Sequence, residues 1–437
     1  MNELIDLALG TLKARGCAGY VGASTRDEWS ADVRLGQIET VESAATRGLR
    51  VTALGAGNRT ASCTTADIAP AAVRAVAERA AELVAYADED PYGGLPPEAE
   101  RGVAAIDLKT DDAAFAGLDR AALAKAAIAA EATAMAHDPR VSNSHRSGAS
   151  ATRTRHWYGT SDGTRVETAG TRFGYHVVVV AQDAAGERQT GAWGTMARSL
   201  AALKPPASVG GEAGRRAVQG FGWKTVPSGR ARVLLHRDVA SQLLGIIGGA
   251  ISGGAVYRGS SFLAGALGTA VASDVVTIVD DPLLPGELGS RRCDGEGVRS
   301  RRLEVIGRGH LASFLVDGYA ARRLKHPYTG HDGGASNLRL TPGSASWDDL
   351  VRELGTGLIV TQFHGFGVDL AAGTISKGAS GFWVADGRVQ HPVQEVTVAG
   401  DLRELLQGIR AVGDDPLTES PTASPSLLID GFTIGGK

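Results

Sequence analysis

The feature that most constrains this chain is a repeated switch of hydrophobic period. Across residues 28–42 (EWSADVRLGQIETVE) apolar side chains fall in rough alternation, through Val33, Leu35, Ile38 and Val41. Alternation sends successive side chains to opposite faces, so the run reads as strand with one covered face. Gly36 divides the run and predicts a hairpin or a bulge there. Residues 48–54 (GLRVTAL) and 58–64 continue the strand pattern. At Pro70 the period lengthens. Val73, Val76, Ala77 and Ala80 share one face of an alanine-rich helix over 70–86. Pro70 suits the first helical position, where its missing N–H costs nothing. Residues 3–13, 113–137 and 210–220 read as further helices, the first stopped by Gly16. Residues 165–182 and 188–198 return to strand, with the valine run 177–180 expected to be buried. The DPYGGLPPEAE segment, 90–100, is a loop by composition.

The pattern shifts near residues 222–230, which places a domain boundary near Gly229. Beyond it come short strands at 232–235, 275–279, 301–306, 311–316, 358–362, 381–384 and 395–398. Helices are expected at 238–251, 318–324, 347–354 and 401–412, then a loop over 414–426 and an edge strand over 427–435. The fold class is α+β with two domains. Residues 1–228 form an N-terminal α/β domain with antiparallel strands and alanine-rich helices, and residues 229–437 a β-rich C-terminal domain with a few helices.

Bulk properties exclude several function classes. A chain of 437 residues, 43% hydrophobic and 21% charged, has the balance of a globular protein able to bury real cores. Its net charge of −3 argues against a nucleic-acid-binding surface. Cys17, Cys63 and Cys293 are too few and too scattered for a disulfide framework, which fits a reducing cytoplasm. The N-terminal MNELIDLALGTLKARG lacks the basic-then-apolar order of a signal peptide. No apolar run is long enough to span a membrane. The longest, residues 243–256, is broken by five glycines and a serine and reads as a packing segment.

Motifs for chemistry are mostly missing. Neither HExxH nor HExxxH occurs, because no histidine is followed by glutamate. A zinc site needs three or four convergent donors. The nearest histidine pair, His326 and His331 in HPYTGHDGG, lies in a loop where the two rings need not meet. The one GxSxG, residues 159–163, is followed by strand-like sequence rather than a helix. A hairpin turn therefore fits better than a nucleophile elbow. Ser252, Ser260 and Ser261 lie in a glycine-rich stretch with no base beside them and read as packing or capping residues. That stretch, 248–261, lacks the lysine of a phosphate loop. Asp294 and Glu296, two residues apart in CDGEGV, could share acid–base work. The favoured reading is a charged turn anchored by Arg291, Arg292 and Arg299, since surface ion pairs are common and say little about function.

Several ordered, collinear stretches carry a resemblance. In the first half these are VRLGQIETVESAATRGLRVTALGAGNRTASCTT, the alanine-rich helix after it and the DPYGGLP loop. In the second half they are GAISGGAVYRGSSFLAGALG (249–268), VDDPLLPGELGSRRCDGEGVRSRRLEVI (279–306), DGYAARRLKHPYTGHDGGASNLRL (317–340) and residues 353–415. Together they resemble the TldD/PmbA metallopeptidase family, and within it the metal-free TldE/PmbA branch. The family works as two related subunits, of which the TldD type carries an HExxxH helix, a later cysteine ligand and a catalytic zinc. The segment here similar to that helix is LLGIIGGA, 243–250, whose side chains cannot ligate zinc, and no cysteine follows Cys293. Without a metal there is neither Lewis acid nor activated water.

The resemblance therefore implies no catalytic and no metal-ligating residue in this chain. It implies zinc in a TldD-like partner, a heterodimer, and a shared chamber admitting a peptide or amide substrate. Tyr257, Arg258, Ser261, Thr329, His331 and His364 border the degenerate site and are the candidates for lining that chamber. Arg258 is the one suited to bidentate contact with a peptide carboxylate. Two other readings compete: a homodimeric peptide-binding scaffold, and an independent enzyme using Asp294 and Glu296.

Overall fold

The structure, a computed structural model, describes residues 1–436. The first half runs α1 (Asn2–Ala14), β1 (Ala18–Arg34), β2 (Gln37–Leu54), β3 (Thr60–Thr65), α2 (Pro70–Leu83), α3 (Arg120–Met135), β4 (Val141–Ser144), β5 (Ser147–Thr160), β6 (Arg165–Gln182), β7 (Arg188–Ala197) and α4 (Pro206–Val218). All seven strands form one sheet in the order β3-β2-β1-β5-β6-β4, with β7 also on β6. The first hairpin turns where Gly36 predicted. Leu35 (φ 47°) and Gly36 (φ 76°) are both left-handed, the geometry of a tight turn that matches strand twist. Glu131 of α3 accepts from the Gly36 N–H at 2.6 Å and fixes that turn to the helical layer.

One face of this sheet carries all the helices. Val21 and Ala23 of β1 pair across to Val51 and Leu49 of β2, and α1 and α2 bury this patch with Ile5, Leu12, Val73 and Ala77. Further along, Trp29, Ala31 and Val33 join Phe173, Val177 and Val179 under α3 and α4. Only alternate residues of the valine run are fully buried: Val177 and Val179 are closed off, while Val178 and Val180 are half-buried. The alternation follows from the opposite face being free of helices. The expected helix over 113–137 is two pieces. A short 3-10 turn, Ala113–Gly117, stops before Asp119, whose carboxylate accepts from the Ala122 N–H and starts α3 afresh.

The second half runs β8 (Gly229–Leu235), α5 (Arg237–Ala250), α6 (Gly253–Tyr257), β9 (Ile278–Asp280), β10 (Leu303–Gly307), β11 (His310–Leu311), α7 (Gly318–Leu324), β12 (Leu338–Leu340), α8 (Trp347–Leu354), β13 (Gly357–His364), β14 (Val368–Asp369), β15 (Thr374–Ala385), β16 (Arg388–Asp401), α9 (Leu402–Gln407), β17 (Ile409–Val412), β18 (Thr422–Ala423) and β19 (Leu427–Gly435). Strands β13, β8, β19, β16 and β15 pair in sequence, and β15 pairs back onto β13, so this sheet closes as a small barrel. A second sheet has the order β11-β10-β9-β12-β18.

Three expectations change here. The helix expected over 401–412 ends at Gln407, and Ile409–Val412 instead pairs with β19 as β17. Residues 427–435 do not form an edge strand. β19 lies between β8 and β16, and Leu427, Leu428 and Ile429 are all buried because both faces of the strand are covered. Of the strand expected over 311–316, only His310–Leu311 pairs in a sheet. Leu315 instead bonds along the end of α5, donating to the Ile251 carbonyl at 3.0 Å and accepting from Gly253 at 2.7 Å. Among the described residues no helix is long and apolar enough to cross a membrane.

Candidate functional site

The helix-free face of the first sheet floors a cleft of about 1530 Å³. Register dictates which residues reach it. Ser24 pairs with Gly48 on one side and His156 on the other, and Arg26 pairs with Thr46 and Thr154. Gly22 pairs with Arg50 and Tyr158 in the same way, while Thr152 pairs with Arg172 and His156 with Thr168. Directly paired residues point to the same face, so these strands present one continuous polar surface. It is built mainly of Ser, Thr, Arg and His.

Residues 105–111 and 290–295 roof the cleft. Both segments are strapped in place through main-chain bonds. Gly102 donates to Gly297 at 2.8 Å, Ala104 to Arg292 at 2.9 Å, and Thr171 of the floor to Thr110 at 2.8 Å. Asp111 pairs with Arg153 at 2.5 Å. Arg101, 6% exposed, reaches from the start of the strap into the 160–165 hairpin. There it donates to Thr160 (3.0 Å), Thr164 (2.7 Å) and both oxygens of Asp162. The GTSDG segment is thus a hairpin turn between β5 and β6, as its flanking sequence predicts, and Ser161 accepts from the Gly19 N–H at 3.1 Å.

Asp294 and Glu296 are not anchored by arginines. Asp294 is buried, and its oxygens accept from the amides of Glu296 (3.0 Å), Val298 (2.8 Å) and Asp332 (3.0 Å). Glu296 accepts from the Gly318 amide at 2.6 Å. Arg291 and Arg292 turn to the carbonyls of Gly330 and Glu167 instead. Glycine-lined backbone folds tightly around these carboxylates and excludes the long guanidinium side chains. Burial pushes Asp294 above its usual range and takes Glu296 up to about 7. Elsewhere in the wall, burial followed by the charge of Arg172 lowers Arg198 to about 10. The Tyr158 hydroxyl, on a residue 9% exposed, and the buried Arg291 Nε have no hydrogen-bond partner among the described residues.

None of the residues expected to line a chamber borders this cleft. Tyr257 and Arg258 end α6 together, the guanidinium donating to the phenol at 3.1 Å. Tyr257 packs edge-on to Tyr319 with ring centroids 5.5 Å apart, and Arg323 lies over its face. Ser261 is buried, donates to the Ala250 carbonyl at 2.5 Å and accepts from Leu263, tying the end of α5 to the following loop. Thr329 and His331 do come together. His331 is buried, with Nδ1 3.0 Å from the Thr329 hydroxyl and Nε2 2.9 Å from Asp280. His326 faces elsewhere, toward Ser313 and Phe314. His364 is exposed and apart, 2.7 Å from the Ser380 hydroxyl, and desolvation lowers its pKa.

Helix α5, which contains the 243–250 segment, is embedded in the largest core. Val239, Leu243, Leu244 and Ile247 are buried there with barrel residues Val233, Leu358 and Ile429. The donor set of this helix does not fit zinc. Among the described residues no three His, Cys, Asp or Glu side chains are placed to hold a metal ion.

A helical layer on one sheet face, a cleft on the other and a closed barrel in the C-terminal half define an α+β protein. The chain belongs to the PmbA/TldD metallopeptidase family. It matches PmbA/TldA metallopeptidase domain 1 over residues 21–84, the central domain over 115–221 and the C-terminal domain over 228–436. The first two blocks contribute to the same sheet here. Metalloprotease PmbA of Escherichia coli O157:H7 is 32% identical over 437 residues, covering 100% of this chain and 96% of that one. A proposed modulator of DNA gyrase from Bacteroides thetaiotaomicron superposes with a TM-score of 0.93 at 25% identity, covering 100% of this chain and 99% of that one. TldE from Thermococcus kodakarensis shares the fold with a TM-score of 0.85 at 18% identity, each chain covered in full at 100%.

Proposed function

We propose that this chain is the non-catalytic, peptide-handling subunit of a metallopeptidase whose zinc is held by a TldD-like partner. Its substrates in this reading are peptide or amide bonds in unfolded peptides, peptide precursors or a natural-product intermediate. The observation that carries the reading is α5. Its buried Leu243, Leu244 and Ile247 pack into the barrel core, where a zinc-bearing relative would present histidine and glutamate. The cleft supports a substrate-holding role, since it is lined mainly by hydroxyls, backbone and cations. Partner binding has support from β2. Its residues 37–47 are exposed on both faces, β3 pairs only from Leu49 onward, and Leu35, Ile38 and Val41 stand in solvent. Tyr257 and Arg258 are candidates for a second contact with the chamber.

The test is reconstitution. The purified chain, mixed with a zinc-loaded TldD-type protein, is expected to cleave a labelled unfolded peptide that neither protein cleaves alone, with the activity lost on chelation. Chelator-resistant cleavage by this chain alone refutes the reading. The open β2 edge would also accept a second copy, which favours a homodimeric scaffold as the other reading. Gel filtration separates the two, because a homodimer that never exchanges into a complex with the partner supports the scaffold.

A further inference from the structure

The cleft carries a charge imbalance opposite in sign to that of the whole chain. Seven arginine and lysine residues line it against three aspartates, in a protein whose net charge is −3. Only Asp111 is neutralised, by Arg153, while Asp107 and Asp294 accept main-chain amides and keep their charge, so two unpaired aspartates face the cations. The cations are mostly not neutralised. Arg26 pairs with Glu28. Arg198, Arg291 and Arg292 contact only main-chain carbonyls, which bear no net charge. The side chains of Arg50, Lys109 and Arg172 have no hydrogen bond or ion pair among the described residues; Arg50 acts electrostatically on Asp332, as Arg291 does, and Arg172 on Arg198. A field of this kind in a low-dielectric cleft is strongly selective for anions.

Spacing says what kind of anion. Arg50 and Arg172 sit on β2 and β6, with β1 and β5 between them. At about 4.8 Å per strand, that is roughly 14 Å across the sheet. Along β5, their paired positions are Tyr158 and Thr152, which adds roughly 20 Å at about 3.3 Å per residue. No single phosphate or small acid spans such a distance, but an extended peptide of roughly seven residues does. Its carboxylates would meet the arginines in turn. A single-stranded nucleic acid fits less well. Its bases need exposed aromatic platforms, and the rings in the lining, Trp157 and Tyr158, are each 9% exposed.

We infer that the cleft is a binding site for extended peptide segments rich in aspartate and glutamate, held along the sheet face by Arg50 and Arg172. This rests on the peptide-handling reading and names the substrate class for it. The test uses the full chain and fluorescein-labelled peptides of about twelve residues, alternating Ala with Glu, Gln or Lys, followed by anisotropy at low salt. The Glu peptide is expected to bind about tenfold or more tighter than the Gln peptide, and the difference is expected to shrink as screening shortens the Debye length to about 3 Å near 1 M salt. The R50Q/R172Q double variant is expected to lose about tenfold for the Glu peptide, so that its preference for Glu over Gln peptide falls toward one. Equal binding of Glu and Gln peptides by the native chain overturns the inference, as does an unaltered Glu affinity in a double variant that melts like the native chain. Oligothymidylate displacing the Glu peptide more strongly than free Glu peptide does also overturns it. Reconstituted cleavage with a TldD-type partner can succeed in each of these cases, so failure of the charge inference is separable from failure of the accessory-subunit reading.

Discussion

Arg101 offers the sharpest test of how the cleft is held together. It joins the strap over 100–110 to the β5–β6 hairpin through one buried guanidinium, at 3% side-chain exposure, against Asp162 at 45%. Arg101→Met keeps the aliphatic bulk and removes the donors. The variant loses the charged bonds to Asp162 and the bonds to Thr160 and Thr164. Hydrogen bonds to charged groups contribute about 1.5–3 kcal/mol each. Asp162 can return to water, however, and Thr164 is only half-buried, so the net loss is about 2–4 kcal/mol. In a domain of this size that lowers Tm by roughly 5–15 °C.

The pH dependence carries its own sign. The Arg101 hydrogen bond holds Asp162 down to about 2, below its usual 3.8. A depressed carboxylate contributes stability that is present above the unfolded value and lost as pH falls through the folded one. With solvent screening of this half-exposed group, that contribution is about 1 kcal/mol. Urea midpoints of native and R101M protein should therefore differ most above pH 4 and converge toward pH 2. The reasoning fails if R101M lies within about 0.5 kcal/mol of the native chain at neutral pH, or if the gap between them does not change with acid.

Three further outcomes are expected. Ile247→Ala in α5, buried at 2% exposure, should cost about 2–5 kcal/mol by urea unfolding, because the helix packs as core. Glu296→Gln should remove a slope. Burial raises Glu296 to about 7 from its usual 4.5, so its stabilising proton is fully held below 4.5 and lost as pH rises through 7. The variant should then be more stable than the native chain by about 1–3 kcal/mol at pH 8 and no more stable at pH 4, as read by thermal melts across pH. Gly210→Ala should destabilise by about 1–3 kcal/mol or more, since a Cβ there would lie 2.1 Å from the Ala130 carbonyl oxygen of α3; denaturation of the variant measures it.

Periodicity made most of the first sheet legible, together with its turn at Gly36, the helix from Pro70 and the hairpin at 160–165. Each is set by local geometry: a left-handed pair, a ring-fixed φ, a polar turn between alternating strands. What periodicity could not rank was long-range pairing. β19 carries the apolar density of a buried strand, yet whether a terminal strand lies at an edge or in a barrel wall depends on partners such as β8, nearly 200 residues away. The same limit hid the roof of the cleft. The bonds Gly102–Gly297 and Ala104–Arg292 join segments that share no sequence signal. At Asp294 and Glu296, nearby arginines suggested ion pairing, but the amides of a tight glycine-rich backbone satisfy the carboxylates first.

The cleft floor was visible in the sequence, on the parity that fold reasoning passes over. Apolar residues at alternate positions identify a strand and its covered face. The intervening residues are then treated as solvent-facing, and along β1, β5 and β6 these are Ser24 and Arg26, then Thr152, Thr154 and His156, then Thr168 and Arg172. Small hydroxyls and arginines repeating at the same register on neighbouring strands are not what a merely wetted face requires, since any polar residue would satisfy that. Net charge concealed them as well. A total of −3 sums a positive cleft with a negative remainder, and it is the local field that a ligand meets. A strand's polar parity, read in register across its neighbours, is therefore the place in such a sequence to look for a binding surface.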